Sequence, residues 1–227
     1  MENELTAKPG LLENRFLRIA VDADGAITSI QDKEHGREWC AGRANEFRMY
    51  RDVSGQYEAW DLDSMYALTP VPLTERPAEP RVVAQGPLYA ALEVKRRLHG
   101  SDLVQEIRLR RGARTLEFQT TVEWRERHKL LKVNFPVAVH ANQALHEIQF
   151  GHLARPNHRS RPHDADRFEV CQQKWTALAE EGWGAALLND CKYGVNVRGK
   201  SMNLTLLRAP LGPDMTADQG RHEFTYA

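Results

Sequence analysis

The chain has 227 residues, 41% of them hydrophobic and 27% charged, an ordinary globular balance with room for one large domain or two small ones. Thirty-one Lys and Arg offset thirty-one Asp and Glu, so no net basic field exists to gather nucleic acid or an anionic membrane surface, and neither is expected as a partner. No apolar run approaches the ~20 residues of a membrane span, and the opening MENELTAKPG lacks the charged-then-apolar pattern of a signal peptide.

Helical periodicity is almost absent. Short alternating runs punctuated by turn residues predict an all-β fold. Residues 16–21 and 26–30 are two β-prone runs around Asp22–Gly25 and predict a hairpin, followed by a polar connection over 32–39. The clearest hairpin comes later. Ile107 and Leu109 point one way while Glu106, Arg108 and Arg110 point the other. After the turn at 111–114, Leu116, Phe118, Thr120, Val122 and Trp124 share a face. The arginines there interleave with glutamates, which reads as a solvated sheet face with cross-strand ion pairs. Further strands are expected over 130–139, 144–150, 182–188 and 202–207. Residues 172–181 suit a helical turn or two, or a strand.

Two stretches read as long loops, which often carry function. Residues 69–87 hold Pro70, Pro72, Pro77, Pro80 and Pro87, and residues 151–166 are rich in His, Arg and Pro. Without repeats or linkers, the reading is one β-domain over 11–227, with 1–10 as a leader or tag-like tail. Cys40, Cys171 and Cys191 are widely spaced and form no CxxC, as expected for reduced thiols in a cytoplasmic protein.

Three constellations stand out. His152, His158, His163, Asp164 and Asp166 are metal-ligand types, but their spacing matches no zinc motif and HExxH is missing. Trp60-Asp61-Leu62-Asp63, after Tyr57-Glu58, sets aromatics beside carboxylates, the mixture that sugar sites use; a turn or N-cap role is the plainer reading. In a strand Asp61 and Asp63 would share one face ~7 Å apart. Asn189-Asp190-Cys191-Lys192-Tyr193-Gly194 gathers a carboxylate, a thiol, an ammonium and a phenol in what is otherwise a plain turn. A Cys–His pair there lacks an identifiable base. GxSxG, P-loop and GxGxxG motifs are absent.

Leu12-Glu13-Asn14-Arg15-Phe16, with Asp22-x-Asp24-Gly25-x-Ile27-x-Ser29-Ile30-x-Asp32-Lys33, resembles the opening of the C-terminal β-region of glycoside hydrolase family 38 α-mannosidases, bacterial-type branch. The resemblance continues through Tyr57–Asp63, Phe150–Pro156 with His158, Arg167–Cys171, Lys174-Trp175 and Leu188–Gly194, and closes at Asp218-Gln219-Gly220-x-His222-Glu223-Phe224-Thr225-Tyr226.

The resemblance implies a large antiparallel β-sandwich of galactose-mutarotase-like type, cut at both ends and lacking its last strands. It implies α-mannoside hydrolysis with retention, by carboxylates and one zinc held in an N-terminal α/β domain followed by a helical bundle. No catalytic or metal residue and no cofactor is therefore assigned to this chain. Its expected role is to support the catalytic domain and line part of the mannoside cleft. The candidate sugar contacts are Asp190, Lys192 and Tyr193 first, Trp60 and Asp61 second, and His152, Arg155 and His158 third. The expected partners are an α-mannoside or other sugar and the catalytic and helical-bundle domains, with self-association through the face those domains would cover. Two alternatives are a free-standing carbohydrate-binding module and a mutarotase-like epimerase, the latter pairing His152 or His158 as acid with Asp190 or Glu169 as base.

Overall fold

A computed structural model describes residues 5–227. In chain order, β1 (Thr6–Lys8), β2 (Leu11–Glu13), β3 (Leu17–Val21), β4 (Ile27–Asp32) and β5 (Arg37–Glu38) form a five-stranded antiparallel meander. The turn between β3 and β4 is built by its sequence. Asp22 Oδ1 accepts from the N–H groups of Asp24 and Ala26 at 2.9 and 3.0 Å. Gly25 has a φ of +74°, and a Cβ there would lie 2.6 Å from a Val94 methyl, so only glycine fits.

β6 (Glu46–Arg51) and β7 (Pro70–Val71) begin a second sheet. β8 (Arg81–Gln85), β9 (Tyr89–Leu98), β10 (Ser101–Arg110) and β11 (Leu116–Trp124) build a third, and β12 (Lys129–Pro136) returns beside β6. β13 (Gln143–Ile148) and β14 (Gly151–Pro156) form a hairpin that joins β16 (Trp175–Glu180) and β17 (Trp183–Leu188) in a four-stranded sheet. Between them lie a one-turn helix α1 (Pro162–Ala165) and β15 (Val170–Cys171). β18 (Gly194–Arg198) and β19 (Ser201–Leu207) complete the second sheet in the order β15-β18-β19-β12-β6-β7. β20 (Gly220–Tyr226) pairs with β11 in the third.

The second and third sheets face each other across the core. Phe118 of β11 and Tyr226 of β20 meet Phe135 of β12 at ring-centroid distances of 5.6 and 5.9 Å. In β11, Leu116, Phe118, Thr120, Val122 and Trp124 are buried and the alternate residues are not. Ile107 pairs with Phe118 and Leu109 with Leu116, the register the alternation predicts. On the outer face Arg108 meets Glu106 at 2.7 Å and Arg110 meets Glu117 at 2.6 Å.

The polar groups that Gln105, Thr120, Asn45 and Tyr226 bring into this core satisfy one another. Gln105, in step with Ile107, donates to Thr120 Oγ1 at 2.9 Å and to the Tyr226 hydroxyl at 2.7 Å. The Tyr226 hydroxyl donates to Asn45 Oδ1 at 2.8 Å, and Asn45 donates back to Gln105 at 2.7 Å. The last strand is thereby tied to the chain entering β6, and such a closed network carries no desolvation debt.

Several sequence expectations are corrected. Residues 5–10 are no tail: Leu5 is 1% exposed and β1 pairs with β2; the first four residues of the expected 1–10 segment lie outside the described residues. The 32–39 connection contains β5, and 69–87 contains β7 and β8. Within 172–181, where the sequence leaves a helical turn and a strand both open, the chain forms β16 over Trp175–Glu180. The expected 151–166 loop begins as β14, whose mixed His, Arg and Leu pattern shows no alternation because the strand lies at a sheet edge with its first four residues exposed.

Candidate functional site

Two exposed aromatics are presented by one clamped loop. Tyr57 has a φ of +57°, and its carbonyl accepts from the N–H groups of Trp60 and Asp61, both at 2.8 Å. The turn leaves Tyr57 67% and Trp60 73% exposed, their rings edge-to-face at 6.4 Å. Arg208, just beyond β19, fixes the turn from below. Its Nη2 donates to the Glu58 carbonyl at 3.0 Å and the Asp61 carbonyl at 2.6 Å. Nε and Nη2 also form a two-pronged pair with the buried Asp52 carboxylate, at 2.6 and 3.0 Å.

Glu58 closes the other side, accepting from the N–H groups of Leu211 and Gly212 at 2.7 and 3.2 Å. The Leu211 N–H, with help from His128, holds the Glu58 carboxyl below the usual range. Asp61 itself is exposed. Asp63 accepts from the Met65 N–H at 2.8 Å ahead of the 3₁₀ turn Tyr66–Leu68, which is the turn role weighed for it above. Residues 57–63 are not a strand, so the shared-face geometry expected of Asp61 and Asp63 does not arise.

The 189–193 turn serves the end of the fold. Asp190 Oδ2 accepts from the Thr225 N–H at 2.9 Å, and the Lys192 ammonium lies 4.5 Å from the Phe224 ring centroid. Burial pulls the Lys192 amine down and pushes the Cys191 thiol up, the latter with help from Asp190. Tyr193 remains 48% exposed. The polar atoms of Asp190 and Lys192 are thus engaged with β20, while Tyr193 offers a free ring edge.

The third group is dispersed. His152 on β14 lies 6.2 Å from the Trp175 ring, and Arg155 donates to the Cys171 carbonyl at 3.2 Å. His158 approaches Asp164 at 3.8 Å. No hydrogen bond or ion pair among the described residues joins His152 or His158 to Asp190 or Glu169, the pairs that a mutarotase-like reading needs.

Glu169 is instead the centre of a buried cluster that alternation alone does not show. Lys132 on β12 is 1% exposed, with Nζ 2.5 Å from Glu169 Oε1 and 2.8 Å from Thr205 Oγ1. The Tyr66 hydroxyl and the Asn196 amide both donate to the same Glu169 oxygen at 2.6 Å. Burial pulls the Lys132 amine down against the opposing pull of Glu169, and burial together with Glu169 pushes the Tyr66 phenol up. The sequence signal was a lysine between Leu131 and Val133 in a strand, where either face looked available.

Among the described residues, one triple of metal-ligating types lies together: Asp32, Glu34 and His35, with donor atoms within 4.8 Å of one another. Asp32 Oδ1 already accepts from the Glu34 and His35 N–H groups at 2.8 and 3.0 Å, and Oδ2 meets His35 Nδ1 at 3.0 Å. These donors close the turn between β4 and β5. The set does not fit a catalytic zinc, since the Asp32 carboxylate and His35 Nδ1 are already committed to one another and to the turn.

Residues 12–216 match the Glycosyl hydrolases family 38 C-terminal domain. The chain belongs to this family. It is 44% identical over 219 residues to human Alpha-mannosidase 2C1, covering 95% of this chain and 21% of that protein. It is 36% identical over 225 residues to Alpha-mannosidase G of Dictyostelium discoideum, covering 96% and 20%. The family 38 chain therefore spans about a fifth of the length of these relatives. Its fold is similar to that of an alpha-mannosidase from Enterococcus faecalis V583, with a TM-score of 0.80 at 18% identity over 100% of this chain and 30% of that one. It is also similar to a galactose mutarotase-like protein from Lactobacillus casei ATCC 334, with a TM-score of 0.52 at 9% identity over 95% and 97%.

Proposed function

We propose that the chain is the noncatalytic β-sandwich portion of a zinc-dependent, retaining α-mannosidase, and that it buttresses the catalytic domain while lending one wall to the mannoside cleft. The observation that carries the reading is the Tyr57–Asp61 turn. An aromatic face stacks on the apolar C–H patches of a sugar, and stacking helps most when the ring is already in place. Here Arg208, locked onto buried Asp52, holds the two carbonyls that flank Trp60.

Retaining hydrolysis requires two carboxyl groups ~5–5.5 Å apart, one as nucleophile and one as acid/base. Beside the aromatic pair, Asp52 is engaged by Arg208, Glu58 by backbone N–H groups and Asp63 by the Met65 N–H, so Asp61 is the exposed carboxylate there and lacks an uncommitted second beside it. The bond-breaking groups and the zinc belong, on this reading, to the catalytic domain of the whole enzyme. A cytoplasmic setting is part of the proposal, supported by the free thiols of Cys171 and Cys191 at the surface.

The test is a chimera in which these 227 residues replace the corresponding β-region of a complete α-mannosidase. It should hydrolyse an aryl α-mannoside, and Trp60→Ala should raise KM by roughly tenfold, as for one lost stacking contact of ~1–1.5 kcal/mol. The isolated chain should release no phenol with or without zinc. Zinc-dependent turnover by that chain, or an unchanged KM in the Trp60→Ala chimera, would overturn the proposal.

A further inference from the structure

On the outer face of the second sheet, between the Tyr66–Leu68 turn and residues 156–168, lies a cleft of about 410 Å³. That volume is within the range of small-molecule sites, ~300–1,000 Å³. Its floor is polar because β6, β12, β18 and β19 turn their apolar residues to the core. Lys132 stands opposite Arg48 and Thr205, and Asn203 opposite Asn196.

Most charges around the cleft are already matched. Lys132 is held by Glu169, Arg48 closes on Glu46 at 2.7 Å, and Asp164 takes Arg161 at 3.0 Å. Arg159, Arg167 and Arg198 also line the cleft and are exposed. Among the described residues, no carboxylate lies within ion-pair distance of any of the three. A chain with formal net charge 0 thus places three unmatched guanidiniums around one concave, polar surface. Like charges so placed repel one another, and an anion bound among them would relieve that repulsion.

We propose that this cleft binds a monosaccharide-sized polyol carrying one anionic group, a phosphate or a carboxylate. The guanidiniums take the anion, since their planar fork matches either group with two parallel hydrogen bonds. On the floor the Ser201 hydroxyl, which donates to Asn134 Oδ1, keeps its acceptor lone pairs, and the Asn203 amide, with one long bond to the Ser201 carbonyl, keeps its oxygen and a second N–H, so both donors and acceptors remain for sugar hydroxyls. His158, on the rim, adds a further donor. The site uses none of the side chains of the Tyr57–Trp60 platform and stands whether or not that platform faces a mannoside.

The experiment is calorimetric titration of the 227-residue chain at low salt with mannose 6-phosphate, glucuronate, mannose and inorganic phosphate. At least one of the two anionic sugars should bind, about tenfold or more tighter than mannose, and should weaken about tenfold in Arg159→Ala/Arg198→Ala. Comparing the two sugars tells a phosphate site from a carboxylate site. Both arginines are exposed, so the double variant should unfold at the wild-type midpoint, and Trp60→Ala should bind as wild type does. Absence of heat with both anionic sugars, equal affinity in the double variant, or mannose binding as tightly as they do would overturn the site. Inorganic phosphate binding as tightly as mannose 6-phosphate would overturn its assignment to a sugar.

Discussion

Replacing Arg208 with alanine should show how much of the fold depends on the clamp beneath Trp60. The guanidinium gives up two hydrogen bonds to Asp52 and two to the carbonyls of Glu58 and Asp61. The Asp52 side chain is 2% exposed and that of Arg208 21%, so truncation strands a carboxylate with little access to water. Breaking a buried pair from one side costs about 3–5 kcal/mol, against about 0–1 for a surface pair. For a chain of this size each kcal/mol shifts the midpoint by roughly 2–4 °C, so a fall on the order of 10 °C is expected. Urea and thermal unfolding followed by circular dichroism read the cost, and limited proteolysis over residues 52–68 reads the loosened turn. Arg208→Leu/Asp52→Leu should recover much of the loss, because no charge is then left unpaired. A cost below about 1 kcal/mol, or a double variant no more stable than Arg208→Ala, would refute the buried-clamp argument.

His146 is 2% exposed with Nδ1 2.9 Å from Thr176 Oγ1, and burial, with Arg155 adding to it, pushes its imidazole down to about 4 from 6.5. Above pH 6.5 neither state carries the proton; below it the unfolded chain gains one that the folded chain refuses. Stability should therefore fall from pH 6.5 towards 4, by about 3 kcal/mol at the end of that window. His146→Gln should lack this component, and parallel pH profiles of the two proteins would refute it. The Cys40 thiol is pushed up to about 12 by burial and the Glu38 carboxylate, whereas Cys171 is exposed. Alkylation at pH 8 followed by mass spectrometry should modify Cys171 well before Cys40; equal rates would contradict this. Phe150 is fully exposed at the tip of the β13–β14 hairpin with a φ of +64°, and Leu68, Leu88 and Trp60 are each more than 70% exposed. The isolated chain should self-associate at high concentration by light scattering, less so as Phe150→Ser, and a wild-type monomer throughout would count against that.

The β-strand architecture was legible in the sequence wherever a strand has one face on the core and one in water. β10 and β11 show this clearly, because burial on alternate residues writes a period of two into the chain. The same signal is weak at β1, β5, β7 and β14, which are two to six residues long and lie at sheet edges. Each pairs on one side only, with the strand next to it in the chain, and side chains there need not alternate, so these segments read as tail, connection or loop.

Chemistry-bearing residue types could be picked out from the sequence, but not what each one does. Trp60 was singled out by its neighbours, yet its clamp comes from Arg208, 147 residues along the chain from Asp61. Asp190 and Lys192 looked like a free polar cluster until β20 was seen to take up both. Lys132 carried no motif, and Glu169 stood out only within the Arg167–Cys171 resemblance and as a possible base. Their pairing, and the unmatched arginines beside it, exist only because β12, β18 and the segment before β15 meet on one sheet face. Local pattern records which residues leave water, since burial is a property of each strand. Which charges end up matched depends on where separate strands meet, and only the folded chain decides that.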